Sequence, residues 1–441
     1  MTEPPDYPGE PAARPGRPRQ WVAVSLIGAV AAVSIVIAVT RSDPDTTASP
    51  DPEPSRSSTT PADVGVRDAR AIALLAAQDR ALQRGAGDTF RAGWDDGGPS
   101  QREARNVFAN LAALRVQELH PRYVGANDGG LSSSEQERLG GAAWTADVDI
   151  AWRLQGVDEA DARTTLTYTF VQRPDGTVAV ADMAPAAAQR EPVWLLGPLE
   201  VLRSDRTVVA STRPALARRA DVALRRAVGD VQRVLPTWQG SLVAYAPANE
   251  EEFDQVVSAA PNAYEGIAAV TTTVDGSHSA DAPVAIVVNP LVFDKLGPVG
   301  SRVVVSHEAT HVATGATTVS MPLWVAEGFA DYVGVGSVDV PLAVSARAAV
   351  RDVHQFGLPE QLPTNGAFQA GSGVEAVYEE SWLAMRLIAR EYGQRRLVAF
   401  YSAVVDRPDA LGAALRETLG TTQAALTRDW RRYLQEVAGG S

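Results

Sequence analysis

The sequence predicts an α+β protein that follows a single membrane-spanning helix. Three observations carry this expectation. Residues 21–40 form an apolar stretch without charge, alternating apolar residues mark an antiparallel sheet between residues 143 and 183, and helical spacing recurs from residue 298 onward. Residues 1–20 are rich in Pro, Gly and Arg, which predicts a disordered tail. As a helix, residues 21–40 would cover about 30 Å, the thickness of a hydrocarbon core. Arg14, Arg17 and Arg19 precede that stretch, which predicts an inside N-terminus and an extracytoplasmic remainder. The stretch is long for a signal-peptide core and no A-x-A site follows closely, so a retained single-pass anchor is expected. Residues 41–64 repeat Pro, Ser, Thr and Asp, the composition of an extended solvated linker.

Residues 65–208 read as one α+β unit. Ala71, Leu74, Leu75 and Leu82 share a helical face over residues 68–84, and a second helix is expected over 101–114. The period then changes to two: Trp144, Ala146, Val148, Ile150 and Trp152 alternate, as do Leu166, Tyr168 and Phe170. Pro174-Asp175-Gly176 marks a turn and residues 177–183 a return strand, with a further strand expected over 193–196. His120 stands alone before Pro121 and reads as a structural or surface residue. The order of helices and then antiparallel strands resembles the NTF2-like cone fold in topology only. That likeness implies a partner-binding or spacer role, with a small-molecule pocket as the alternative.

Residues 209–441 read as a mostly helical unit with a small sheet. A long helix is expected over 214–234, strands over 241–246 and 282–289, a helix over 250–259 and a β-rich run over 267–274. Further helices are expected over 377–392 and 422–437. The formal net charge of -13 and a pI near 5.0 leave no basic stripe for phosphates, which argues against nucleic acid as a partner. Cysteine is absent, so the sequence holds no disulfide framework and no thiol nucleophile.

The strongest chemical signal is His307-Glu308-Ala309-Thr310-His311. On a helix, positions i and i+4 share a face, so both imidazoles can reach one metal ion, and Glu308 stands beside the first of them. Two neutral nitrogen ligands, an open position and a carboxylate that takes a proton from water make up the arrangement of zinc hydrolases. Pro298 and Gly300 stand where such a helix would begin and Gly315 where it would end. A third ligand is required, and Pro322-Leu323-Trp324-Val325-Ala326-Glu327-Gly328-Phe329-Ala330-Asp331-Tyr332 follows.

Through these two segments the chain resembles the gluzincin metallopeptidases, in which a later helix carries a glutamate ligand within W-x-x-E-G-x-A-x-Y. Trp324, Glu327, Gly328, Ala330 and Tyr332 match that pattern. The resemblance implies a Zn2+ ion held by His307, His311 and Glu327, with Glu308 as general base and a peptide or protein substrate. It also implies that Asp331 orients a ligand histidine from behind. A tyrosine or histidine would stabilise the oxyanion, for which Tyr378 is the first candidate and His354 the alternative. Gluzincins bind substrate backbone along an edge strand, here one of those between residues 267 and 289. A metzincin would need a histidine at position 317, which is Thr317. The G-x-M-x-N segment of M1 aminopeptidases has no counterpart, since Gly266-Ile267-Ala268-Ala269-Val270 lacks its Met and Asn. The reading from a different class is a non-catalytic cell-envelope binding protein on a degenerate peptidase scaffold.

Overall fold

In the computed structural model, which describes residues 61–440 apart from 128–129, 141, 261–262 and 370–372, the alternating runs of the first half form one antiparallel meander. Its strands are β1 (Arg122–Asn127), β2 (Ala143–Trp152), β3 (Ala162–Gln172) and β4 (Val178–Pro185), in the order β1-β2-β3-β4. The register places Trp144 opposite Phe170 and Val148 opposite Leu166, so one face is apolar throughout. That face is covered by helices α1 (Pro61–Gln83), α2 (Gly87–Ala92) and α3 (Gly98–Leu114), through Ala71, Leu75, Phe90, Val107 and Leu111. The other face is polar: Asp147 accepts hydrogen bonds from Asn127 and Thr167, each at 2.8 Å. A short surface helix α4 (Ser133–Arg138) precedes β2, closed by a capping box of Ser132 and Glu135.

A second sheet follows. It contains β5 (Glu200–Arg203), β6 (Thr207–Ser211), β7 (Leu242–Tyr245), β8 (Ala269–Thr273) and β9 (Val284–Val288), in the order β5-β6-β7-β9-β8. Strands β6, β7 and β9 run parallel; β5 and β8 are antiparallel edges. Helix α5 (Pro214–Val234) crosses from β6 to β7, and α6 (Glu250–Val257) follows β7. Both faces of this sheet are buried. Val209, Leu242, Ala244, Ile286 and Val288 face the helices of the second half. Val208, Val243, Tyr245, Val270 and Val287 face the core of the meander, so the sheet joins the two halves.

Helices make up the rest. After α7 (Pro290–Phe293) come α8 (Pro298–Thr314) and α9 (Leu323–Val335), then α10 (Leu342–Ser345) and α11 (Arg347–Phe356). The last four are α12 (Val374–Tyr392), α13 (Gln394–Asp406), α14 (Leu411–Ala414) and α15 (Gln423–Gly439). Helix α8 starts on Pro298, whose missing N–H costs nothing in the first turn, and stops at Gly315 with φ 66°. Residues 303–311 are all buried, because α5, α9 and the sheet surround the helix. Asp230 on α5 pins it, accepting from Arg302 Nε at 2.8 Å and from Ser306 Oγ at 2.8 Å. Helix α9 lies between α8 and α12 at backbone distance. A Cβ on Gly334 would come 2.8 Å from the Val303 carbonyl oxygen, and one on Gly328 would come 2.5 Å from that of Ser381.

The structure corrects the expected fold at three points. The expected membrane-spanning helix is corrected first: among the described residues no helix is long and apolar enough to cross a membrane. The longest ones carry charge along their exposed sides, as α5 does with Arg218, Asp221, Arg225 and Arg226; the apolar stretch 21–40 lies outside the described residues. The sheet of the second half is not small. It has five strands, and β6 reads as no alternation because all of its residues are buried. The strand expected over 193–196 is a turn of 3-10 helix, Val193–Leu195, with Trp194 edge-on to Trp152.

Gly328→Ala forces α9 away from α12 and is expected to destabilise the protein by about 1–3 kcal/mol. Chemical denaturation would measure it, and unchanged stability would contradict the close helix contact.

Candidate metal centre

Helical periodicity places His307 and His311 on one side of α8, one turn apart. The approach of α9 then brings Glu327 to them. The Nε2 atoms of His307 and His311 are 3.0 Å apart. Oε2 of Glu327 lies 3.2 Å from the first and 3.6 Å from the second. All three side chains are buried, and one ligand atom from each lies within 4.8 Å of the others, so the group could hold a metal ion.

The polar atoms around this group fit a cation. Neither carboxylate oxygen of Glu327 has a hydrogen-bond partner, although the residue is fully buried. Such orphaned acceptors are rare in protein interiors. The Asp331 carboxylate accepts from His307 Nδ1 at 2.9 Å, so that in the neutral ring Nε2, which faces Glu327 and His311, carries the lone pair. Asp331 thus fixes the His307 ring, the arrangement in which a carboxylate orients a metal-binding histidine.

Charge follows from this packing. Burial works against a charged His307, yet Asp331 and Glu327 outweigh it and hold the imidazole well above its ordinary value. Burial would also raise Glu327, but His311 and His307 hold its carboxyl down at about 2. Burial raises Asp331, with His307 pulling the other way. Burial likewise raises Glu308, against the two imidazoles and a hydrogen bond from Thr271. That bond runs from Thr271 Oγ1 on β8 to Glu308 Oε2 at 2.7 Å, and the same hydroxyl lies 3.1 Å from the Glu308 carbonyl.

A cleft of about 110 Å³ reaches the group, with walls from β8, the loop after it, and the facing parts of α8 and α9. His311 and Glu327 are among its walls, together with Thr271, Arg190 and His278. The hydrogen bonds from Asn289 N to Ala268 O and from Val274 N to Pro283 O fix which β8 residues pair with β9. Even-numbered residues do, so the backbone groups of Ala269, Thr271 and Thr273 point to the open edge.

The residues expected at the site are brought together unevenly. His307, Glu308, His311, Glu327 and Asp331 converge. Tyr378 lies in the core of α12, fully buried, with its ring edge-on to Phe368 at 5.1 Å, and is not a wall of the cleft. His354 bonds the Ala438 carbonyl on α15 at 3.1 Å. His120 pairs with Glu118 at 2.9 Å on the surface. Thr271, Arg190 and His278 escaped the sequence reading. The only signal for Thr271 and His278 was their place between residues 267 and 289, where an edge strand was expected; Arg190 had none.

No protein-family model matches the chain, and no curated protein matches it. What the fold and site define is an α+β protein with a buried His-His-Glu group that could hold a metal ion.

Replacing Asp331 with Ala frees the His307 ring and is expected to weaken metal binding by about 10–100-fold, measured by competition with a chromogenic chelator. Unaltered affinity would remove Asp331 from the site. In metal-free protein the raised His307 contributes stability that is full below about pH 6.5 and is lost as pH rises through its folded value. The depressed Glu327 contributes stability above about pH 4.3, lost as pH falls toward about 2. The melting temperature of chelator-treated protein should therefore peak between these limits; a profile flat across both would contradict the ion-paired cluster.

Proposed function

We propose that the protein is a zinc-dependent peptidase of gluzincin type. The observation that carries this reading is the position of Glu308. Its buried carboxylate sits one residue from a ligand histidine and bonds Thr271, on the strand whose open edge lines the same cleft. A purely structural metal site has no use for that third carboxylate.

His307, His311 and Glu327 would hold the Zn2+ ion, a donor set of two imidazoles and one carboxylate that leaves a position free. Bound there, zinc supplies Lewis-acid polarisation of the scissile carbonyl and lowers the pKa of water. The chain's own groups do the rest. Asp331 keeps the His307 ring oriented. Peptide backbone adds to β8 at Thr271, a wall of the cleft whose N–H and C=O groups are directed away from β9. Glu308 takes the proton of the attacking water and returns it to the leaving amine. Burial of its carboxyl brings its proton affinity closer to that of a group that must both accept and give.

The competing reading, a binding protein with a closed structural metal site, would want a fourth protein ligand. Among the described residues no further His, Asp or Glu joins the group, which favours the catalytic reading.

Glu308→Gln is expected to keep the bound metal while peptide hydrolysis falls by about 100-fold or more. A fluorogenic peptide library, with metal content determined on the same samples, measures both. Full activity in the variant would sink the proposal.

A further inference from the structure

Three separate features place Arg190 in the cleft. It stands in the segment that leaves β4, far in sequence from the metal ligands. Two residues earlier Ala188 adopts φ 62°, a left-handed conformation that is unfavourable for a non-glycine residue. On the far side Gly276 has φ 73°, and a Cβ there would come 2.9 Å from Arg190 Nε. Between them the Nη1 of Arg190 donates to Thr272 Oγ1 at 2.9 Å and to the Thr273 carbonyl. Strain on one side and a required glycine on the other are what a positioned side chain needs.

That position has two consequences. Thr273 is the last β8 residue whose carbonyl faces the open edge, and Arg190 occupies that carbonyl. A peptide strand added at Thr271 therefore meets a guanidinium next. The guanidinium also lines the wider cleft of about 1000 Å³ that runs outward between the meander and the β8–β9 loop. Asp161, Asp275 and Asp281 share that cleft with Arg163 and Arg190, and the oxygens of Asp275 accept from the backbone N–H groups of Arg163 and Ser277. Burial draws the Arg190 guanidinium's proton affinity down, and Asp275 and Tyr264 oppose it; an arginine stays charged throughout.

We infer that Arg190 selects substrates: it receives a carboxylate of the peptide bound along β8, so the site prefers acidic peptides to basic ones. This rests on the peptidase reading for its substrate class. It runs against the charge of the whole chain, formally -13, which by itself attracts basic peptides. A preference for acid must therefore come from a local cation.

The test uses two fluorescein-labelled hexapeptides, one alternating Ala and Glu, the other alternating Ala and Lys. Their binding to metal-loaded protein carrying Glu308→Gln is read by fluorescence anisotropy, and their cleavage by the protein without that substitution is read in parallel. The acidic peptide is expected to bind tighter by about tenfold or more, the scale of one charge-assisted hydrogen bond. Adding Arg190→Gln should abolish the preference, and Arg190→Lys should restore part of it. Equal binding of the two peptides, tighter binding of the basic one, or binding of neither overturns the inference. So does a preference that survives Arg190→Gln. Should that variant fail to fold, the ratio for the protein with Arg190 intact decides. Acid-selective binding without cleavage of either peptide would refute the hydrolase and leave the selectivity standing. Cleavage without charge preference would do the reverse.

Discussion

Glu327 meets the two imidazoles because the backbone of α9 lies directly against the backbones of α8 and α12. Gly334 permits the first approach and Gly328 the second, and in each case a methyl group would collide with a carbonyl oxygen. The same packing buries Asp331 against His307, so the Glu327 and Asp331 carboxylates arrive together from one helix. Neighbours resist any drift of α8: Asp230 on α5 holds one side through Arg302 and Ser306, and the sheet holds another through Thr271. Within this buried cluster the Asp331 carboxylate matches the His307 Nδ1, and Glu327 faces both Nε2 atoms.

The second sheet does more than support the helices. Its two buried faces serve two cores, so the meander of the first half is packed onto the sheet that carries β8. Through that contact the first half contributes Arg190 to the cleft beside the cluster. Recognition and chemistry would then come from different parts of the chain, joined by a sheet whose edge strand touches both.

Much of the site was legible in the sequence because helical spacing is rigid. His307 and His311 at i and i+4, and Glu327 and Asp331 at the same interval, can only point together if each pair lies on a helix. Thr271 was not legible, since a hydroxyl reaching from a strand to Glu308 depends on where the sheet edge falls, which no local period records. Arg190 lies 82 residues from the threonine it bonds. Strand β6 was missed because burial of both its faces erases the alternation that reveals a half-exposed strand, and β5 is only four residues long with every residue half-buried. Tyr378 shows the converse. A tyrosine near the start of a helix reads the same whether it faces a cleft or a core, and here Phe368 and the core receive it. The meander was readable because its outer face stays polar, as Asp147 and Thr167 show.

The central claim is that His307, His311 and Glu327 share one divalent ion. X-ray absorption at the zinc edge of protein loaded with zinc tests it most directly. The account predicts two imidazole nitrogens at about 2.0–2.1 Å and oxygen donors at about 2.0–2.2 Å, with one oxygen scatterer lost or replaced in Glu327→Ala. A first shell without imidazole nitrogen, or one identical in that variant, would contradict it.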